Sequence, residues 1–277
     1  MSISAADVKK LREMTGAGMM DCKKALVESK GDFDKAVEEL RKKGQQVADK
    51  RADRDAKEGL VLSRVSDDGK KAVAIEINCE TDFVARNEDF QAQANSFLNS
   101  AFDNDITELD VLLASKVNGK SVDDHIQEMV AKIGEKIELS KLVYLTTEGT
   151  IIEYIHAGNQ LGVLAEFDGE VSNTDVARDV AMQIAAMNPI AANRDEVDAS
   201  LIEKELEIAK EQLINEGKPT EIAEKAAVGK LRRFYEDNVL LEQKFVKDNG
   251  ITVKQYLEQN NTPLVKAFRR IQLGEEA

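Results

Sequence analysis

Cysteine and histidine are scarce in the 277 residues, with two of each. Cys22 and Cys79 are too few and too far apart for a disulfide framework, which agrees with a reducing compartment. With His125 and His156 they form no zinc pattern, so no metal site is expected. Basic charge is in short supply: 38 basic against 52 acidic residues leave a formal net charge of -14, which repels a phosphate backbone and argues against direct nucleic-acid binding. No apolar run reaches the ~18 residues that a membrane span needs. The start of the chain, Met1 to Asp7, has no basic leader followed by an apolar core, so a soluble, cytoplasmic, non-exported protein is expected.

Catalytic signatures are missing too. Gly119-Lys120-Ser121 imitates the end of a phosphate loop, but Ala114 stands where such a loop needs glycine and no glycine-rich turn precedes it. There is no Gly-x-Ser-x-Gly elbow, and no carboxylate pair stands out from the solvated helix faces. No cofactor and no covalent chemistry are therefore expected.

What the chain has is organisation. Residues 1–44 read as three short helices: Ser4 caps the first, which carries Val8 and Leu11; Cys22, Ala25 and Leu26 line the second; Asp32 opens a third with Phe33, Ala36, Val37 and Leu40. Gly31 and Gly44 stand where C-terminal caps belong. Between the first two helices, Gly16-Ala17-Gly18 leads into Met19 and Met20. Helical neighbours point in different directions, so one methionine is expected in the core and the other on a contact surface. Residues 45–57, with Lys50, Arg51, Asp53, Arg54, Asp55 and Lys57 and only Val47 bulky and apolar, read as a charged linker, helical in part.

Beyond the linker the sequence repeats at an offset of 90 residues. Glu58-Gly59 matches Glu148-Gly149, Leu62 matches Ile152, Val73 matches Val163 and Glu76 matches Glu166. Each copy reads as strand, turn, strand, helix, with turns at Ser66 to Gly69 and His156 to Asn159. The helices carry Phe90, Ala94, Phe97, Leu98 and Ala101 in one copy and Val180, Ile184 and Met187 in the other. The expected fold is α+β, with two similar core subdomains at 58–147 and 148–277. The second is interrupted at 194–234 by an antiparallel coiled-coil arm. Its outgoing helix shows a 3,4 seam at Ala199, Ile202, Leu206, Ala209 and Leu213; Thr220 caps the return helix, whose inner face is read as Ile222, Ala226 and Gly229. An apolar stretch around Val239 to Val246, a short helix capped by Thr252 and a strand near Leu264 to Leu273 complete the chain.

The most informative segment is Glu76 to Arg86, an alternating strand running into Asp82-Phe83 just before a helix. A large aromatic at a turn is either a lid on the core, with Asp82 capping the next helix, or a wedge presented to a partner. The repeat weighs on this choice. Whatever folding requires should appear in both copies, and Thr81-Asp82-Phe83-Val84 faces Val171-Ser172-Asn173-Thr174, with no Asp-Phe pair. His156 is the second copy's own singular residue, a turn histidine that could equally be a solvated polar side chain.

The segments Leu11 to Leu26 and Glu76 to Arg86 resemble the signature motifs of the bacterial translation elongation factor Ts family. Ala131 to Glu135, His156-Ala157-Gly158 with Gly162-Val163-Leu164, and Gly217-Lys218-Pro219 with Glu221 to Lys225 extend the resemblance in the same order along almost the whole chain. The resemblance implies a guanine-nucleotide exchange factor for elongation factor Tu, with a ubiquitin-associated-type N-terminal module, a two-subdomain core and a coiled-coil arm. It implies that Thr81, Asp82, Phe83 and Val84 dislodge the magnesium ion bound with GDP, and that His156, Arg12, Met19, Met20, Ile133 and Gly134 support the contact. The complex could be one-to-one or two-to-two. Some family members continue into a further C-terminal helix that touches the GTPase; here Leu273 to Ala277 follows the last strand, so that contact is expected to be absent. The competing reading is an adapter that binds a partner and leaves nucleotide kinetics untouched.

Overall fold

The computed structural model describes residues 3–49, 51 and 53–275; Lys50 and the side chain of Val47, both read as linker, lie outside the described residues, as do the chain's two outermost residues at each end. The fold is α+β with antiparallel sheets.

Three helices open the chain: α1 (Ala5–Thr15), α2 (Met19–Glu28) and α3 (Phe33–Asp49). Ser4 and Asp7 form a reciprocal capping box at the start of α1, and Val8, Leu11, Cys22, Ala25, Leu26 and Ala36 make a small core. Gly31, at φ 85°, closes α2 by donating its N–H to the Leu26 carbonyl (2.8 Å). Gly44, expected to cap α3, instead lies inside it. The reason is tertiary: a Cβ at Gly44 would stand 3.1 Å from the Ala131 Cβ of another helix, so glycine serves there as the point of close approach.

The first sheet contains β1 (Glu58–Val65), β2 (Lys71–Cys79) and β5 (Ile137–Thr146), in the order β1-β2-β5. Between β2 and β5 run α4 (Asp82–Ala85), α5 (Glu88–Asp103), α6 (Leu109–Ala114), the small hairpin β3 (Lys116–Val117) and β4 (Lys120–Ser121), and α7 (Val122–Ile133). The mock phosphate loop is Gly119 of this hairpin's turn followed by β4 itself. Lys120 is engaged by Glu128 at 2.6 Å and Ser121 caps α7. The second sheet has the equivalent order β6-β7-β10, from β6 (Thr150–Ile155), β7 (Leu161–Phe167) and β10 (Val265–Gln272), with α8 (Thr174–Met187) on it.

Both central strands are buried on two faces. Val73, Ile75 and Ile77 pack towards α5, and Val163, Ala165 and Phe167 towards α8, while Val61, Ala72, Ala74, Ile151, Leu164 and Ile271 form a cluster between the sheets. The glycines that start the first strands are required by contact: a Cβ at Gly59 or Gly149 would lie 2.0 or 1.8 Å from the carbonyl oxygen of Ile77 or Phe167. The matched glutamates also play parallel parts. Glu76 faces Lys141 (3.1 Å) and Glu166 faces Lys266 (2.8 Å), each pair beside a bulge in the outer strand. Glu76 is only 2% exposed. Its Oε1 accepts from Asn78 (2.8 Å) and Gly274 N–H (3.2 Å), and its Oε2 meets Lys141 as an ion-pair contact without hydrogen-bond alignment.

The arm is formed by α9 (Ala199–Asn215) and α10 (Thr220–Asn238). The seam on α9 holds at Leu206, Ala209 and Leu213, and of the expected return face Ala226 packs against it; the buried positions, however, are Ala223 and Ala227, whereas Ile222 is 55% exposed and nothing approaches Gly229. Small residues let the helices draw close, and packing chose the alanines over the larger, more apolar isoleucine. The N-cap is Pro219, not Thr220. At the arm's base Ala191, Val197, Tyr235 and Val239 form a separate buried cluster. The hairpin β8 (Lys244–Phe245) and β9 (Asp248–Thr252) and the helix α11 (Val253–Gln259), capped by Thr252, then lead to β10. Met187, expected to face the core, is exposed at the end of α8.

Candidate functional site

The Asp-Phe pair does not cap α5; Asn87 does, accepting from Phe90 N–H at 3.2 Å. Asp82 and Phe83 begin the one-turn α4, whose N-cap is Thr81. Because successive helical residues point about 100° apart, one turn can divide its side chains between core and solvent. Val84 and Ala85 turn inward, while Phe83 remains 81% exposed. It therefore covers no part of the core. Asp82 pairs with Arg86 at 3.0 Å.

The corner is held from several sides. Thr81 donates through Oγ1 and through its backbone N–H to the Glu135 carboxylate, at 2.7 and 3.1 Å. Glu80 accepts from the Lys136 backbone N–H (2.6 Å) and from Arg54 (3.1 Å), with Arg51 at 3.4 Å. Its carboxyl is held below the ordinary carboxylate range, first by that backbone donor and then by the arginines. Cys79 donates its thiol to the Thr81 carbonyl (3.2 Å); burial pushes this thiol up to about 12, so it stays protonated.

Phe83 lines a groove together with Glu13 and Gly16 from the end of α1, Asn87 of the corner, and Met129 and Ile133 of α7. Gly134 ends α7 at φ 81°, the left-handed conformation that turns the chain back towards β5. The N-terminal helices are not a detached unit, since α3 packs on α7 through Gly44 and Ala131 and Arg41 approaches Glu128 at 3.8 Å. Neither methionine of the Met19-Met20 pair is buried: they are 47% and 73% exposed, and Arg12 is exposed as well. The bundle's core positions are already filled, which leaves no room for the one expected inside. His156 is exposed at the β6–β7 turn, its Nδ1 3.0 Å from the Tyr154 hydroxyl. That turn contacts the first sheet, Asn159 accepting from Val61 N–H (2.6 Å) and Gln160 donating to Glu58 (3.2 Å), and Glu58 is the residue paired with Cys79 at the root of the corner. His156 thus lies at the same end of the sheet, outside the groove that Phe83 shares with Ile133. Glu80 and Glu135 lie inside segments that the sequence singles out, Glu76 to Arg86 and Ala131 to Glu135, but nothing in the sequence distinguishes either as a site residue.

A corner held by crossing hydrogen bonds presents a solvent-exposed aromatic at the edge of a groove of mixed polar and apolar lining, an arrangement suited to contact with another macromolecule. Among the described residues no group of three potential metal ligands occurs and no helix is long and apolar enough to cross a membrane. The family model described as Elongation factor TS matches residues 80–275. Curated relatives named Elongation factor Ts include those of Christiangramia forsetii (49% identical; 98% of this chain and 99% of the relative covered), Prosthecochloris aestuarii (46%; 98% and 99%) and Amoebophilus asiaticus (47%; 99% and 100%). The chain belongs to the elongation factor Ts family, the nucleotide-exchange factors of translation elongation.

Proposed function

We propose that this chain binds elongation factor Tu in its GDP form, displaces the magnesium ion held with the nucleotide and promotes GDP release so that GTP can bind. The observation that carries the reading is Phe83, 81% exposed on a helix whose next two residues are anchored in the core. In this reading Thr81, Asp82, Phe83 and Val84 are the magnesium-displacing segment: Phe83 enters between packed elements near the nucleotide, and Asp82 disturbs the metal's water shell. Ile133 supports the wedge from the shared groove and Gly134 from the turn that follows it, and His156 supports it from the second strand-strand-helix unit. Arg12, Met19 and Met20 belong to a three-helix docking module that supplies affinity, and the arm reaches a second patch.

The energetics follow from linkage. A GTPase holds GDP through phosphate contacts and a bridging Mg2+, so spontaneous release is slow. If the factor binds the nucleotide-free form more tightly than the GDP form, GDP affinity falls by the same factor, because coupling is reciprocal. A thousandfold acceleration needs about 4 kcal/mol at the barrier. One well-seated aromatic with a few polar contacts is of that order. The test is release of fluorescent GDP from elongation factor Tu on mixing with this chain. Acceleration supports exchange, whereas stable binding without acceleration would make the chain an adapter.

A further inference from the structure

The exposed half of the wedge cannot hold its own shape. A four-residue helix is far below the length at which a helix is stable by itself, and Phe83, 81% exposed, has little around it to fix its direction. Its geometry must come from outside. The β2–β5 ladder ends at Cys79 opposite Ile137, and immediately beyond that pair two carboxylates cross in opposite directions. Glu80 takes the Lys136 N–H, while Glu135 takes both the N–H and the hydroxyl of Thr81. The two segments are thereby joined one rung past the sheet, with side-chain carboxylates in place of backbone carbonyls. Bonds of this kind are charge-assisted and stronger than neutral ones, and the backbone donors fix register in a way that a surface ion pair does not.

We infer that Glu135, with Glu80 as its reciprocal partner, is a positioning residue for exchange: it sets the direction in which Phe83 is presented and ties the wedge to the Ile133-Gly134 turn so that the two meet the GTPase as one body. The inference rests on the wedge reading of Phe83. The sheet is complete without the clasp, so the clasp orders the corner beyond the last rung. Arg51 and Arg54 add a further tie on Glu80 from the segment after α3. Gly134 is what allows the turn, because at φ 81° a side chain would be strained there.

The test combines amide hydrogen exchange on the free protein with stopped-flow GDP release from elongation factor Tu, on Glu135→Ala, Glu135→Gln, Phe83→Ala and the double variant Glu135→Ala/Phe83→Ala. In Glu135→Ala the Thr81 amide should lose protection while the amides of the β2–β5 ladder keep theirs. The maximal release rate should fall about 5- to 10-fold with half-saturation changed less than about 2-fold, as expected when a group is misdirected after binding. Glu135→Gln, which keeps one acceptor at the same place, should fall between Glu135→Ala and the wild type in both readouts, and it serves if the alanine variant unfolds. The double variant should be no slower than Phe83→Ala. Failure of the wedge reading would appear as full-rate release by Phe83→Ala alone. The clasp would be overturned separately, beside a slowed Phe83→Ala, by any of three results: full-rate release by the folded Glu135 variants, unchanged Thr81 protection, or losses that multiply in the double variant.

Discussion

Replacing Phe83 with alanine isolates the wedge from the fold. The side chain is 81% exposed and its neighbours Val84 and Ala85 carry the anchoring, so the substitution should change stability by less than about 0.5 kcal/mol. In complex the cost is different. A phenylalanine presents roughly 150–250 Å², so a partner pocket closing over this one removes on the order of 150 Å² from water. Alanine forfeits about two-thirds of that, which at about 25 cal/mol per Å² is about 2.5 kcal/mol. Fixing the side chain's rotamer offsets about 0.5 kcal/mol. The remaining ~2 kcal/mol predicts catalysed GDP release slowed about 30-fold. If the contact forms fully only as the nucleotide site is distorted, the loss falls on the maximal rate more than on half-saturation. Stopped-flow release over a range of factor concentrations reads both quantities, and a thermal melt verifies the fold. A folded Phe83→Ala protein that releases GDP at the full rate would refute the wedge.

Deleting residues 1–49, which removes α3 whole instead of cutting it at Gly44, should raise half-saturation roughly tenfold or more while a substantial part of the maximal rate persists; loss of all exchange at saturation would make the N-terminal helices part of the wedge machinery. Replacing residues 205–228 with a short Gly/Ser loop spares the basal cluster of Val197, Tyr235 and Val239, so the core should melt normally and still accelerate release, with the complex's lifetime altered; an unfolded core would show the arm to be structural. Glu76→Ala removes the buried carboxylate paired with Lys141, leaving that ammonium only its bond to the Glu275 carbonyl, and should lower stability by about 3 kcal/mol by urea denaturation; a smaller change than about 1 kcal/mol would contradict the pairing. The Tyr256 hydroxyl, raised from 10.0 to about 12 by burial and then by its bond to Asp179, is protonated in both folded and unfolded states below pH 10, so its contribution is intact there and is lost as pH rises towards 12. Urea midpoints should therefore fall more steeply over that range in the wild type than in Tyr256→Phe, and parallel profiles would count against it.

Much of the fold was legible because it rests on local pattern. Period-2 strands, the glycines at 59 and 149, the caps at Ser4 and Thr252 and the offset repeat each constrain only near neighbours or one strand pair, and each appears where the pattern put it. The Asp-Phe pair stood out for the same reason: one copy of the repeat served as a control for the other.

What the sequence determined by itself is therefore the α+β class, the repeat, the arm and the singular residues at 81–84 and 156. Tertiary structure alone decided how side chains were shared between competing neighbours. Gly44 reads as a helix end until Ala131 comes within contact distance; the inner face of α10 is chosen by how closely α9 can approach; and neither Met19 nor Met20 finds a place in a core already full. The clasp shows the cause most plainly. Glu80 and Glu135 are two ordinary acidic residues in a chain of net charge -14, and only the β2–β5 pairing, which brings Thr81 and Glu135 together across 54 positions, turns them into acceptors for the backbone of each other's segment.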